Sequence, residues 1–162
     1  MKYVIDTNVL RKMLDHLPHK GLVFKTVWDN IERNILNETV VSVDECMNEM
    51  KKHFSKDSDN SKWIDDHKYM FLYPTNDESI TISKIFKNKK MQESIHQKNI
   101  LLNRPSADVY IAAKAKTLEA TVVTSEEYKP NSAQLPNICE MIGVKCISYD
   151  DFMAIITEYE YE

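Results

Sequence analysis

Short apolar runs that alternate with longer segments of helical spacing are the feature that most constrains this chain. Residues 2–5, 39–41 and 121–124 are rich in β-branched and aromatic side chains and are too short to be buried helices. After the first run, apolar residues recur three or four positions apart from Val9 to Leu17, as on one face of a helix. Strands that alternate with helices predict an α/β fold with a mostly parallel central sheet flanked by helices.

The remaining segments continue the same alternation. We expect strands at residues 69–73 and 144–147, one or two helices within 76–102, and further helices over 107–118 and 149–158. Ser106 is placed to cap the helix of residues 107–118, and Gly143 to end a short helix before the last strand. Ser42 and Glu45 have the spacing of a capping box, which predicts a helix that carries Glu49.

The length of 162 residues suits a single domain, which we expect to span residues 1–162. The chain has no apolar run long enough for a transmembrane helix, and Asp6 comes too early for a signal peptide. Its three cysteines are odd in number and lack CxxC spacing, which favours reduced thiols. These features predict a cytoplasmic protein that does not bind membranes. The five histidines show no ligand spacing, and we expect them at the surface or in loops.

Acidic residues stand where the predicted strands end or the predicted helices begin. Asp6 follows the first strand, Glu126 follows residues 121–124, and Asp108 lies in the first turn of the helix before that strand. Glu49 lies on the helix that is entered from residues 39–41. Because ligands of parallel sheets bind beyond the carboxyl ends of the strands, we expect these acids to converge on one edge.

Four carboxylates in one cleft repel each other, by roughly 4 kcal/mol for two charges about 4 Å apart at an effective dielectric constant near 20. A divalent cation would remove that repulsion. Ligands that are all oxygen, with no histidine or cysteine, favour Mg²⁺ or Mn²⁺ over zinc. Such an ion can lower the pKa of a bound water and neutralise a phosphate under attack.

Three blocks of the sequence resemble PIN domains, and in their order and spacing a VapC-like subgroup. Residues 4–10, VIDTNVL, resemble the opening signature, an apolar strand that ends in Asp-Thr-Asn. Residues 43–50, VDECMNEM, are similar to the helix with the middle glutamate. Residues 106–113, SADVYIAA, followed by TVVTSE at 121–126, resemble the segment in which an acid opens a small-residue helix before a strand ending in Thr.

The resemblance implies a Rossmann-like PIN fold and an endoribonuclease that depends on Mg²⁺ or Mn²⁺. Carried over by position, the catalytic metal ligands are Asp6, Glu49 and Asp108, with Glu126 as the fourth acid and Glu127 as its neighbour and competitor. Many PIN domains have Asp at that fourth position, so this chain departs from the pattern there. The resemblance further implies Thr7, Asn8 and Thr124 as residues that orient the ligands. Its partners would be RNA, a cognate antitoxin protein and, in a homodimer, a second copy of the chain.

Each acid also has a simpler interpretation. Asp6 is placed to cap a helix, Asp108 to complement a helix dipole, and Glu49 to be a solvated helix residue with Glu45 as its rival.

One stretch of the chain is basic, although the overall formal charge is −4. Residues 84–104 hold six basic side chains and one acid, whereas residues 149–162 hold five acids and no base. The basic stretch is either a solvated face or a grip on phosphates, which would add affinity but little sequence choice. As an RNA-binding surface its residues are Lys84, Lys87, Lys89, Lys90 and Arg104.

Three other functions share parts of this pattern. A haloacid-dehalogenase-type phosphatase also begins with a strand that ends in Asp, but it needs a second acid two positions later, where this chain has Asn8. A receiver-like signalling domain needs an acid pair that the sequence lacks. A catalytically inactive PIN-like module that binds RNA or protein is the main alternative, and a measurement of metal binding separates it from the nuclease.

Overall fold

The apolar runs form a five-stranded sheet in which every strand is parallel to its neighbours. A computed structural model describes residues 1–103 and 106–157. The sheet order is β3-β2-β1-β4-β5, and its strands are β1 (Tyr3–Ile5), β2 (Val40–Val43), β3 (Phe71–Leu72), β4 (Thr121–Val123) and β5 (Cys146–Ile147). The predicted α/β fold with a parallel sheet is confirmed, and it is consistent with a Rossmann-like architecture.

Helices connect the strands in the described part of the chain. They are α1 (Thr7–His16), α2 (Lys25–Leu36), α3 (Asp44–His53), α4 (Asp59–Asp66), α5 (Asn76–Lys87), α6 (Lys89–Leu102), α7 (Asp108–Leu118), α8 (Leu135–Ile142) and α9 (Tyr149–Thr157). A turn of 3₁₀ helix, Lys68–Met70, leads into β3. None of the helices in these described ranges has the length and apolarity needed to span a bilayer.

The order of the strands reverses beside β1. Successive strands run outward from β1 through β2 to β3, and the chain then returns to place β4 and β5 on the other side of β1. The carboxyl ends of β1 and β4 therefore flank a topological switch point, where open parallel sheets form their binding crevices. Both strands are fully buried, and α7 packs across β1, β2 and β4.

Some local predictions were wrong. Ser42 is a strand residue whose hydroxyl donates a 2.7 Å hydrogen bond to the Ile5 carbonyl, so it does not form a capping box. Helix α3 begins at Asp44, with Val43 in the capping position. The strand predicted at residues 69–73 shrinks to Phe71–Leu72 because a 3₁₀ turn takes its first half.

His67 is also misplaced by the sequence prediction, because its ring is buried. It stacks on Trp63 with ring centroids 4.0 Å apart, and its Nε2 lies 2.5 Å from Glu32 Oε2. Gly143 ends α8 in the left-handed conformation, as expected. Ala107, and not Ser106, occupies the capping position of α7, although Ser106 Oγ accepts a hydrogen bond from the Asp108 N–H.

A candidate carboxylate site at the sheet edge

Asp6 occupies the switch point at the carboxyl end of β1. It is almost fully buried, and its backbone N–H donates to the Val123 carbonyl of the neighbouring strand at 3.0 Å. Although Asp6 stands in the capping position of α1, its side chain forms no capping hydrogen bond. Its Oδ2 accepts a 2.9 Å hydrogen bond from Thr124 Oγ1. The geometry thus contradicts a simple helix-capping role for this acid and places Thr124 in direct contact with it.

Asp108 opens α7 and is also buried. Its N–H donates to Ser106 Oγ at 3.2 Å, and the Ser106 N–H in turn donates to Asn99 Oδ1 at 3.0 Å. The end of α6 and the start of α7 are therefore tied together beside this carboxylate.

Glu126, and not Glu127, turns toward the other acids. Its N–H donates to Thr124 Oγ1 at 3.1 Å, and its Oε2 accepts from the N–H of Leu135, the first residue of α8, at 2.8 Å. Glu127 is exposed. The sequence left both Glu126 and Glu127 as candidates for the fourth acid, and their positions favour Glu126.

Glu49 lies on α3 and is partly buried. Its negative charge helps to raise the pKa of the Asp6 carboxyl and that of the Cys46 thiol, so it faces the same side as Asp6. Glu45 is the alternative to Glu49, and it does not form the capping box that the sequence predicted. The pKa of Glu45 rises to about 7 through burial, a hydrogen bond with Asp44 and repulsion from Glu78. Glu45 therefore belongs to a neighbouring group of charges, and Glu49 to the group around Asp6.

Lys98 is the member of the site that the sequence prediction missed. Its Nζ donates to Asp108 Oδ2 and, at 3.0 and 3.1 Å, to both carboxylate oxygens of Glu126. Its side chain is 17% exposed. Within the basic stretch, Lys98 stands three residues after Ile95 and seven after Met91, on the face of α6 that packs inward. That spacing is the signal that distinguishes it from the exposed lysines.

Burial and mutual repulsion change the pKa values of the charged groups in this cluster. Burial, followed by repulsion from Asp108, Glu126 and Glu49, raises the pKa of Asp6 to about 8, against the lowering effect of Thr124. The pKa of Asp108 is also raised, chiefly by burial and against the attraction of Lys98. Burial alone would lower the pKa of Lys98, but attraction to Asp108 and Glu126 outweighs burial and raises it. Among the described residues, the Lys98 ammonium contacts two of the four acids, Asp108 and Glu126.

The carboxylate oxygens of this site are ligands of the kind that a hard divalent cation prefers. Every acidic ligand offers oxygen atoms, and a divalent cation would offset the burial and the repulsion that raise the pKa of Asp6. Among residues 1–103 and 106–157, no three acids, histidines or cysteines already stand at ligand spacing from a common point. The Lys98 ammonium lies between Asp108 and Glu126. Asp6, Glu49 and Asp108 are the residues that would hold the ion.

The other predicted residues differ in their distance from this cluster. Thr7 is buried and in contact with the Cys46 thiol, whereas Asn8 is exposed on the first turn of α1. Lys84, Lys87, Lys89 and Lys90 are exposed where α5 ends and α6 begins. At a rise of about 1.5 Å per residue, the eight residues from Lys90 to Lys98 place the two about 12 Å apart along α6. Arg104 lies outside the described residues.

Comparison with known proteins gives a family but no activity. The model of the domain of unknown function DUF4411 matches residues 3–157, nearly the whole chain. The chain belongs to the DUF4411 family. No curated protein matches it. All four acids of the site lie inside the matched segment, so the candidate site is part of the DUF4411 domain itself.

Proposed function

We propose that this DUF4411 protein is a PIN-like endoribonuclease that depends on Mg²⁺ or Mn²⁺. The observation that supports it most is the convergence of Asp6, Asp108 and Glu126 at the switch point of the sheet, with Glu49 close enough to raise the pKa of Asp6. These residues come from separate segments of the chain. A fold does not need four acids in one crevice, since each buried charge costs free energy.

In this proposal each residue of the site has its own role. Asp6, Glu49 and Asp108 would hold the cation, and a bound cation would lower the pKa of a water and offset the charge of the phosphate. Thr124 fixes the orientation of Asp6 through its 2.9 Å hydrogen bond and that of the Glu126 backbone through a 3.1 Å one. Lys98 places a positive charge beside the reacting phosphate. Thr7 and Asn8, at the start of α1, complete the surroundings of the site.

The basic stretch supplies a path for the RNA backbone. A groove of about 290 Å³ runs between α6 and the loop before α8, and its lining includes Lys90, Tyr128 and Asn137. Tyr128 is exposed and lies two residues after Glu126. An exposed aromatic ring next to a lysine suits a single-stranded nucleic acid, because bases stack on rings and phosphates attract cations. Single-stranded RNA in this groove would lead to the carboxylates.

A cleavage assay tests the enzyme. Pooled cellular RNA is incubated with Mn²⁺ and wild type, Asp6→Asn or Asp57→Asn, and the cut ends are mapped. We expect cleavage by wild type and by the exposed-surface control Asp57→Asn, and at least a 100-fold loss in Asp6→Asn. Equal cleavage by Asp6→Asn, or none by wild type in Mn²⁺ and Mg²⁺, would contradict the proposal.

The biological setting that we propose is the toxin of a toxin-antitoxin pair. A partner protein could silence the site by inserting an Arg or Lys among the carboxylates, in place of the cation's charge. Expression of wild type alone should slow growth, and Asp6→Asn should not. Equal growth of the two would count against the toxin role while leaving the nuclease chemistry open to the cleavage assay.

One observation favours the alternative, a catalytically inactive PIN-like module that binds RNA or protein. Lys98 already forms ion pairs with Asp108 and Glu126. A protein in which this lysine replaced the metal permanently would bind RNA without cutting it. In that case wild type would bind no Mn²⁺ in calorimetry, yet would retain RNA through its lysines.

A further inference from the structure

The Lys98 ammonium binds two carboxylates of the site, as a metal cation would. Three hydrogen bonds join its Nζ to Asp108 Oδ2 and to both oxygens of Glu126. Glu126 is thereby fully engaged, because its Oε2 also accepts the Leu135 N–H at 2.8 Å. Both carboxylates of the pair are more than four-fifths buried in the site. An ammonium in this position attracts two acids that would otherwise repel each other and offsets one of their two charges.

The helix that carries Lys98 is held at both ends. Asn88 Oδ1 accepts the Met91 N–H at the start of α6, and Asn99 Oδ1 accepts the Ser106 N–H near its end. Ile95, one turn before Lys98, is buried in the core. A helix that is held at both ends therefore positions the ammonium beside Asp108 and Glu126. The Lys98 side chain is only 17% exposed, so the surrounding residues restrict its conformation.

A divalent ion cannot share that position. Oxygen ligands of Mg²⁺ lie about 2.0–2.1 Å from the ion, and the Lys98 nitrogen already lies 3.0 Å from Glu126 Oε1. An ion between Asp108 and Glu126 would have to displace the ammonium. Asp6 lies at the carboxyl end of β1, where its Oδ2 accepts a 2.9 Å hydrogen bond from Thr124 Oγ1, and it remains with Glu49 as a carboxylate ligand for an ion.

We propose that Lys98 is a functional residue of the site, which occupies the cation position between Asp108 and Glu126 and confines a divalent ion to the side of Asp6 and Glu49. The inference rests on the proposed metal-dependent function and makes it more specific. The site then takes one divalent ion rather than two, and Lys98 takes the place of the second. Glu126 binds Lys98 and does not bind metal.

Mn²⁺ binding tests this without any measure of cleavage. Stoichiometry and affinity are measured by calorimetry, and the spacing of bound ions by electron paramagnetic resonance, in full-length wild type, Lys98→Met and Lys98→Arg. Lys52→Met, an exposed lysine on α3, is the matched control. We expect one isolated Mn²⁺ in wild type, Lys98→Arg and Lys52→Met. In Lys98→Met we expect a second, magnetically coupled ion or at least tenfold tighter binding.

A purely structural role for Lys98 would not change the number of ions. If Lys98→Met fails to fold, Lys98→Gln keeps a hydrogen-bonding group without the charge and should show the same gain. Two coupled ions in wild type, or unchanged stoichiometry and affinity in folded charge-removed variants, would overturn the inference.

The same experiment separates this inference from the proposed function. One isolated Mn²⁺ in wild type, a gain in Lys98→Met and no RNA cleavage would support the role of Lys98 and reject the ribonuclease. No Mn²⁺ in wild type with binding gained by Lys98→Met would still support Lys98 as the occupant of a cation position. It would then reject metal-dependent catalysis by the native chain.

Discussion

Thr124 Oγ1 donates a 2.9 Å hydrogen bond to Asp6 Oδ2 across 118 positions of sequence. The two residues follow adjacent parallel strands, β4 and β1, at the switch point of the sheet. The bond lowers the pKa of Asp6, against burial and the repulsion of three other acids. Thr124 therefore favours the ionised form of Asp6, which is the form that binds a cation.

Removal of that hydroxyl should weaken metal binding. Thr124→Val keeps the shape of the side chain, but it removes a hydrogen bond to a charged group, worth about 1.5–3 kcal/mol. We expect Mn²⁺ affinity to fall by about tenfold or more in calorimetry at pH 7. Thr121→Val, a buried threonine at the other end of β4, is the control and should leave the affinity unchanged. Equal affinity in Thr124→Val and wild type would show that Thr124 does not control the charge of Asp6.

Asp6 should also make the metal-free protein less stable at high pH. Its pKa is about 8 in the folded chain against an ordinary value of 3.8. The folded state thus holds the proton more tightly, and the stability that this provides is fully present below pH 3.8 and is lost as the pH rises through 8. The slope for one group is at most about 1.4 kcal/mol per pH unit.

Asp6→Asn cannot ionise, so its stability should fall less between pH 6 and pH 9 in EDTA than that of wild type. At pH 7 we expect Asp6→Asn and Asp108→Asn to be as stable as wild type or slightly more so, because burial disfavours the carboxylate form of both acids and an amide avoids that cost. Added Mg²⁺ should raise the melting temperature of wild type more than that of either variant, because a ligand stabilises the state that binds it. A loss well above 1 kcal/mol in EDTA would instead identify these acids as structural.

The basic stretch should contribute affinity for RNA without affecting the metal. Lys87→Glu combined with Lys90→Glu reverses two exposed charges near the groove. RNA binding should weaken at low salt and its salt dependence should flatten, because fewer counterions are released. Fluorescence anisotropy at several salt concentrations measures both effects, and calorimetry should give unchanged Mn²⁺ affinity.

The control for that experiment is Lys52→Glu combined with Lys56→Glu, which makes the same change of charge at and just beyond the far end of α3. If both double variants lose RNA affinity equally, only the net charge matters. If neither does, the stretch from Lys84 to Lys90 is a solvated face and RNA enters elsewhere.

Local patterns were sufficient to predict the parallel sheet and the acids at its edge. Asp6 and Glu126 follow apolar runs, and the end of a strand is a property of a few consecutive residues. The errors concern partners that are distant in sequence. Ser42 donates to Ile5 rather than capping a helix, and His67 is buried because Glu32, 35 residues earlier, binds its ring. Lys98 was counted among surface charges, since its partners Asp108 and Glu126 are brought to it by the fold.

A second buried charge that the sequence did not reveal supports the helix that carries Asp108. Lys114 on α7 lies 2.5 Å from Glu78 Oε1 on α5, and both side chains are at most 4% exposed. Lys114 also donates to the Tyr73 carbonyl at 2.8 Å, and Thr75 Oγ1 donates to Glu78 Oε1 at 3.1 Å. The pair fixes α7 to α5 deep in the molecule. Its satisfied hydrogen bonds are what make a buried charge tolerable.

Loss of one partner should therefore be costly, and loss of both should not. Lys114→Met leaves Glu78 buried and uncompensated, and we expect the free energy of unfolding to fall by about 3–5 kcal/mol in urea denaturation. Lys114→Met combined with Glu78→Met replaces the pair with apolar side chains and should recover most of that loss. Lys116→Met, exposed on the same helix, is the control and should change stability by no more than about 0.5 kcal/mol. A loss below 1 kcal/mol in Lys114→Met would mean that solvent reaches Glu78, and that packing alone holds α7 and Asp108 in place.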